Sequence, residues 1–337
     1  MASGLTRFGN DLYTGERSVP FVRLRRIWLT IAAVLMIAAV AVPFVRGGGD
    51  FVAGFNFGIE FRGGSQFQVS DASSINTKLA ETAVHSVVPD ATVRTTTVGT
   101  NGLRVQTDQL TDVQTQDVTD ALKTAYDTDT VDDSFIGASW GADITRQALL
   151  GLGIFLALAA LLMAIYFRTW KMSAAAMFAL LHDLLITIGV YAATGFEITP
   201  AAVIGFLTIL GFSLYDTVVV FDKVRENTSE MGEDSTRTFG ETVNLAVNQT
   251  LVRSINTGVV AALPVAAILF LGSFVLGADT LRDISLALLV GTLIGTYSTP
   301  FVASPFYSLL REREPAIRDR DKKTLTQRAK SLARVGA

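Results

Sequence analysis

Six stretches of this sequence are apolar for about as long as a bilayer is thick, and this limits the fold class more than any other feature. They are residues 27–45, 148–167, 174–194, 199–221, 255–276 and 284–310. A helix rises 1.5 Å per residue, so about 20 apolar residues cross the hydrocarbon layer. No water is available there, so each backbone polar group must bond within its own segment, which selects helix. The mean hydropathy of +0.41 comes from these blocks and is not spread evenly. We expect an α-helical membrane protein with six transmembrane helices, the last long enough to tilt or run past the bilayer.

The net charge of −3 hides a segregation. Residues 46–145 hold six Lys/Arg against fourteen Asp/Glu, and the tail 311–337 holds nine against four. Orientation follows Lys and Arg in short loops. Arg23, Arg25 and Arg26, the turn with Arg168 and Lys171, and the tail all fall on one side, whereas the short loops opposite hold only Arg282. We therefore expect a multi-pass protein of the inner (cytoplasmic) membrane with both termini cytoplasmic. Its segments are a cytoplasmic 1–26, a first span at 27–45, an outer domain at 46–145, a helix bundle at 146–310 and a basic cytoplasmic tail at 311–337. The tail reads as a positive-inside anchor, with contact to anionic lipid or ribosomal RNA as the sharper reading. Ala39-Val40-Ala41 mimics a signal-peptidase site, but the apolar run is longer than a signal peptide's, so we expect an uncleaved anchor. With no cysteine in the chain, disulfides and Cys-based metal or redox chemistry are excluded.

The outer segment has its own pattern. Residues 65–70 alternate like a strand, and 73–87 carry a helical apolar stripe. Residues 93–98 and 103–107 are strands about the turn Gly99-Thr100-Asn101-Gly102. Val113, Val118, Leu122, Ala125 and Tyr126 mark a second helix behind a Thr111/Asp112 cap, and 133–140 read as a last strand. The order β-α-β-β-α-β is that of a ferredoxin-like α+β domain, with helices on one sheet face and the other free for a partner. Upstream, FNFGIEFRGGS (55–65) holds Gly58, Gly63 and Gly64. This reads either as a rigid exit from the first span or as a joint that lets the outer domain move.

Ionisable groups inside spans are functional candidates by default. Asp216 lies seven residues before Lys223, roughly 10 Å deep. Arg253, at the start of the fifth span, is shallower by this count and close enough to pair with it. His182 and Asp183 lie nine residues into the third span. Gly291 and Gly295 form a GxxxG packing seam, open to the second half of a pseudo-symmetric assembly. Pro264 should kink the fifth span. There is no Gly-Lys-Ser/Thr triplet for a P-loop, and two histidines without cysteine leave little for zinc. Gly211-Phe212-Ser213 weakly mimics an intramembrane serine-protease site, with His182 at comparable depth.

FNFGIEFRGG, ALLHDLLITIG (179–189), GFSLYDTVVVFDKVREN (211–227), NQTLVRSINT (248–257) and LRDISLALLVGTLIGTYS (281–298) occur in the order found in the SecF family, and the chain resembles that family over roughly 20–310. The resemblance implies an RND-superfamily half that pairs with SecD. It also implies use of the proton-motive force to assist Sec-dependent export after the ATP-driven steps. The implied partners are SecD, the SecYEG translocon, unfolded preprotein and membrane lipids, with no nucleic acid, no cofactor, no metal and no enzymatic activity. By the same resemblance the proton-coupling residues are Asp216, Arg253, Asp183 and His182, and the hinge motif holds Gly58, Glu60, Gly63 and Gly64. Tyr215 stands where the family usually has Asn, Lys223 replaces Arg, Ser254 replaces Thr, and Gly141-Ala142 lacks the usual Gly-Pro. A stand-alone RND-type exporter of lipids or small molecules is the alternative, although such chains usually carry about twice as many spans. A passive scaffold for the translocon would not need Asp216.

Overall fold

The computed structural model describes residues 4–167, 169–232, 235–272 and 279–335. Arg168, expected in the turn between the second and third spans, lies outside the described residues. So does the end of the fifth apolar block, 273–276.

A helix α1 (Gly4–Thr14) precedes the first apolar helix, α2 (Arg25–Arg46). A two-residue strand β1 (Asn56–Phe57) and one helical turn, α3 (Ile59–Arg62), lead into an α+β unit. Its elements are β2 (Gly64–Val69), α4 (Thr77–Val87), β3 (Val93–Val98), β4 (Gly102–Thr107), α5 (Asp112–Tyr126) and β5 (Val131–Ile136). The bundle continues through α6 (Ala138–Phe167), α7 (Trp170–Thr194), a second two-residue strand β6 (Glu197–Ile198), α8 (Pro200–Ser229) and α9 (Phe239–Phe270). It closes with α10 (Asp279–Ser298), a π-helical turn at Thr299–Ala303, α11 (Ser304–Arg311) and the tail helix α12 (Pro315–Val335).

Six helices among the described residues are long and apolar enough to cross a membrane: α2, α6, α7, α8, α9 and the run Leu281–Arg311. Most overrun the apolar blocks. α6 starts at Ala138, so the strand expected at 133–140 is β5, ending at Ile136, and Gly137 separates it from the helix. α9 starts at Phe239, where Thr238 and Glu241 form a capping box, well before the apolar part of the span begins.

The α+β unit is a four-stranded antiparallel sheet of order β3-β4-β2-β5. Phe67, Val69, Leu103 and Val105 project from one face into a core with Ala80 and Val84 of α4 and Val118, Leu122 and Tyr126 of α5. Thr111 caps α5 through a capping box with Gln114, and Asn76 caps α4. The opposite face carries Gln66, Arg104 and Gln106, and the last two are buried. That face, expected to be free, is therefore partly covered by the chain itself.

Backbone-to-backbone proximity holds the bundle together at small residues. A Cβ on Gly189 of α7 would lie 2.4 Å from Ala39 Cβ of α2, and one on Gly205 of α8 2.6 Å from Ala287 Cβ of α10. The expected open seam at Gly291 and Gly295 is instead internal. A Cβ on Gly291 would lie 2.4 Å from Ile209 Cγ1, and one on Gly295 3.3 Å from Ser213 Cβ, both on α8. These glycines let α10 lie against α8.

Gly291→Ala should cost about 1–3 kcal/mol by overpacking this crossing and should lower the thermal unfolding midpoint of the purified protein. Gly211→Ala, where a Cβ meets nothing within 4 Å, should be neutral or slightly stabilising. Equal effects of the two would remove the packing role.

Candidate functional site

The apolar sequence of α7 is broken at its centre by His182 and Asp183, only 0% and 2% exposed. Burial of such groups is tolerable only when hydrogen bonds replace water. Asp183 Oδ2 accepts the hydroxyls of Ser213 from α8 and of Ser298 from α10, the latter at 2.8 Å. Asp183 Oδ1 faces His182 Nδ1 at 3.0 Å. With the proton on Nδ1, His182 Nε2 is left to accept the Tyr297 hydroxyl at 3.2 Å. Ser213 thus serves Asp183 and not His182, so the protease-like pairing is not made.

One turn beyond Ser213 on α8 sits Asp216, 4% exposed. Its Oδ1 accepts the Ser254 hydroxyl of α9 at 2.8 Å. Its Oδ2 is buried without a hydrogen-bond partner of good geometry among the described residues. The Thr299 hydroxyl lies beside this carboxylate and meets the Thr217 hydroxyl at 3.1 Å. Thr299 opens the π-helical turn, and Pro300 within it has no N–H to continue the α-helical ladder. π-turns of this kind often mark functional sites.

The expected pair of Asp216 with Arg253 is not made. Successive helix residues point about 100° apart, so Ser254, facing Asp216, turns Arg253 outward. Its Nη2 donates a long bond of 3.4 Å to the hydroxyl of Tyr215, which is 55% exposed. The Ser254–Asp216 bond also sets the level of Arg253. It lies within about one residue's rise of Asp216, on the shallower side. The departure at Tyr215 therefore touches the arginine and leaves the aspartate to Ser254.

A second polar cluster joins the α+β unit to the bundle. β1 and β6 pair in parallel, Asn56 opposite Glu197 and Phe57 opposite Ile198. Glu197 accepts Arg104 Nη1 at 3.1 Å and Gln106 Nε2 at 2.6 Å from the polar sheet face. Asn56 Nδ2 donates to Gly195 O at 2.6 Å, and Arg46 donates to the carbonyl of Ala192. Behind Glu197, the buried Asp283 accepts the Thr199 hydroxyl at 3.0 Å. Sequence reasoning missed Glu197, Arg104 and Asp283. The available signal was an arginine and a glutamine on the polar face of a sheet strand.

The glycine motif borders this cluster. Gly63 and Gly64 both have positive φ, +77° and +140°, and a Cβ on Gly64 would lie 2.4 Å from Thr107 O. Gly58 has ordinary φ and is constrained by space, since a Cβ there would lie 2.2 Å from Glu60 Oε2. That oxygen is buried without a hydrogen-bond partner among the described residues. Burial pushes the Glu60 carboxyl above the usual carboxylate range. A backbone N–H opposes this, Glu197 adds to it, and Arg104 opposes it.

Six apolar helices with hydrogen-bonded carboxylates buried between them, and an α+β unit clasped to one end, define a multi-pass membrane protein with titratable groups in its core. A family model described as "Protein export membrane protein SecD/SecF, C-terminal" matches residues 116–313, and one described as "SecD/SecF GG Motif" matches 51–70. The protein translocase subunit SecF of Streptomyces coelicolor is 42% identical over 335 residues, covering 98% of this chain and 87% of the relative. The SecF subunit of Mycobacterium tuberculosis is 39% identical over 337 residues, covering 95% and 73%. The crystal structure of SecDF from Thermus thermophilus, a translocon-associated membrane protein, superposes with a TM-score of 0.75 at 27% identity. It covers 88% of this chain, which spans 39% of that longer one. A crystal structure of SecDF in a super-membrane-facing form gives a TM-score of 0.57 at 27% identity. The chain belongs to the SecD/SecF family of protein-export membrane proteins, on its SecF side, and its role is an accessory one in Sec protein export.

The Glu60 shift predicts how the clasp responds to pH. A carboxyl raised in the folded state favours its protonated form there. Its contribution is full below the ordinary value of 4.5 and is lost as pH rises through the raised one. Exchange protection of the Gly58 amide, which donates to Ile198 O at 3.0 Å, should fall over that interval once intrinsic rates are removed. Glu60→Gln should flatten the curve, and an unchanged slope in that variant would remove Glu60 as its source.

Proposed function

We propose that this chain is one half of a two-part export machine. It pairs with a SecD subunit in the membrane and uses proton loading at Asp216 to move an outer domain that assists preprotein release. The observation that carries this reading is the outward turn of Arg253. An arginine about 10 Å inside the bilayer costs roughly 2.5–3.5 kcal/mol or more if lipid covers it. An exposed arginine and tyrosine side by side at that depth suit a face that another polypeptide covers. The solved relative is a single SecDF chain of which this one spans 39%, which leaves room for that second half.

Asp216 is suited to exchange a proton. One oxygen is held by Ser254 and the other is buried with little to satisfy it, so the carboxylate form is poorly served. The protonated form has a hydroxyl to give to Thr299. His182 and Asp183 of α7, reached through Ser213 one turn before Asp216 on α8, are the relay we assign beside it. A proton crossing 100 mV releases about 2.3 kcal/mol, enough to bias a two-state packing change. The sheet order and the two helices on one face support reading the α+β unit as ferredoxin-like. The Lys/Arg distribution supports placing it outside the cytoplasmic membrane, with both termini inside. The positive φ of Gly63 and Gly64 at the base of the α+β unit supports reading Gly58, Glu60, Gly63 and Gly64 as the joint of an outer domain that changes position. On this reading SecYEG and the unfolded preprotein are the further partners.

Reporter fusions at Gly102 and after the last residue test the topology, with the first expected outside and the second inside. The reverse pattern overturns it. For the mechanism, the measurement is preprotein release from vesicles with and without an imposed proton gradient. Asp216→Asn should assemble with SecD yet abolish the gradient-dependent part. Arg253→Lys, which keeps charge but loses the planar fork, should impair less than Arg253→Met. Undiminished gradient response in Asp216→Asn would leave a passive scaffold as the better account.

A further inference from the structure

At the opposite end of the bundle from the clasp lies a cavity of about 960 Å³ lined by five arginines: Arg23, Arg25, Arg26, Arg237 and Arg328. We propose that it binds the phosphate of an anionic phospholipid headgroup from the adjoining leaflet.

The walls are fixed by specific bonds. The segment between α1 and α2 is held to α9 by two asparagines. Asn248 Oδ1 accepts Val19 N at 2.7 Å, and Asn244 Oδ1 accepts Val22 N at 3.1 Å. Asn244 Nδ2 also donates to the Ser18 hydroxyl at 2.8 Å. This places Arg23 and the first residues of α2, Arg25 and Arg26, beside the start of α9. The cavity therefore lies at the starts of two long helices, whose dipoles favour an anion.

The charge is not neutralised from within. Two acids line the cavity, and both are engaged. Glu312 takes Arg25 and the Ser308 hydroxyl, and Glu241 takes Arg328 at 2.8 Å. Arg23, Arg26 and Arg237 have no ion-pair or hydrogen-bond partner for their guanidinium groups among the described residues. Three unpaired guanidinium groups at two helix starts suit a phosphodiester, which Arg binds through two oxygens at once.

The position favours lipid over a free anion. Arg25 and Arg26 open α2, one of the membrane-crossing helices. Asn244 precedes Ser254, at the depth of Asp216, by ten residues, or roughly 15 Å of helix. With Asp216 about 10 Å deep, the cavity falls in the headgroup layer. Which leaflet this is rests on the topology proposed above, but the binding measurement does not depend on it.

The test uses the full chain purified with its membrane partner, delipidated and titrated with micelles containing phosphatidylglycerol or phosphatidylcholine, reading the thermal midpoint and retained lipid by native mass spectrometry. Phosphatidylglycerol should be retained and raise the midpoint, whereas phosphatidylcholine should not. The double variant Arg23→Gln/Arg237→Gln spares both ion pairs. It should bind phosphatidylglycerol about 30-fold more weakly, from roughly 1 kcal/mol per arginine. Lys322→Gln/Lys323→Gln, removing the same charge from the exposed face of α12, should leave binding unchanged. Equal loss in both variants would mean diffuse attraction and overturn the site. Inorganic phosphate reproducing the full effect at equal concentration, or an RNA oligonucleotide protecting where phosphatidylglycerol does not, would overturn the lipid assignment.

Discussion

The lack of water inside the bilayer is the constraint on which the structure depends. It forces each polar group between the spans to find a protein partner. Asp183 makes the consequence concrete. Its carboxylate takes hydroxyls from α8 and α10 and faces His182 of its own helix, so three spans are fixed in relative rotation by one side chain. The serines that serve it lie where Gly291, Gly295 and Gly205 bring α10 and α8 close. Close approach and polar satisfaction depend on each other here, because a hydroxyl on a short side chain reaches a carboxylate only across a tight crossing.

Much of this was legible in the sequence because a span is a local property. Length and apolar content of a single segment decide it, and six segments meet the test. The placing of His182 and Asp183 within α7 and of Asp216 within α8 followed from counting residues along each apolar segment. The order of strands and helices in the α+β unit followed from alternation and caps that are also local, such as Thr111 with Gln114.

Rotation about a helix axis and contacts across the chain were not legible. Whether Arg253 or Ser254 faces Asp216 is a matter of one residue, about 100°, and an apolar block carries no signal that resolves it when most of its sides are apolar. The seam at Gly291 failed for the same reason. GxxxG marks close packing but not the helix packed against, and here the partner is α8 of the same chain. The clasp joins Glu197 to Arg104, separated by 93 residues, and no short pattern announces that pairing. The basic tail read as a positive-inside anchor, yet α12 docks on the bundle, with Arg328 on Glu241 and Ile317 buried in the hydrophobic cluster of the helices.

These long-range contacts bear on how an event at Asp216 reaches the outer domain under the function proposed here. α7, which carries His182 and Asp183, and α8, which carries Ser213 and Asp216, are joined by the loop that holds β6. Asp183 lies eleven residues from the end of α7, roughly 17 Å along a stiff helix. Gly195, at φ +77°, then turns the chain into β6, which pairs with β1 at the base of the outer unit. A change in the rotation or tilt of α8 against α7 therefore bears directly on that pairing and on the bonds from Glu197 to Arg104 and Gln106. The stiffness that makes the helices good struts also means they absorb little of the displacement. The two-residue ladder and the glycine turn after α3 are the weakest elements on the path, so motion concentrates there. Glu60, buried at this point with one oxygen unsatisfied, makes the closed clasp sensitive to the protonation of its surroundings. The outer joint thus has a titratable group of its own, distinct from the one in the membrane.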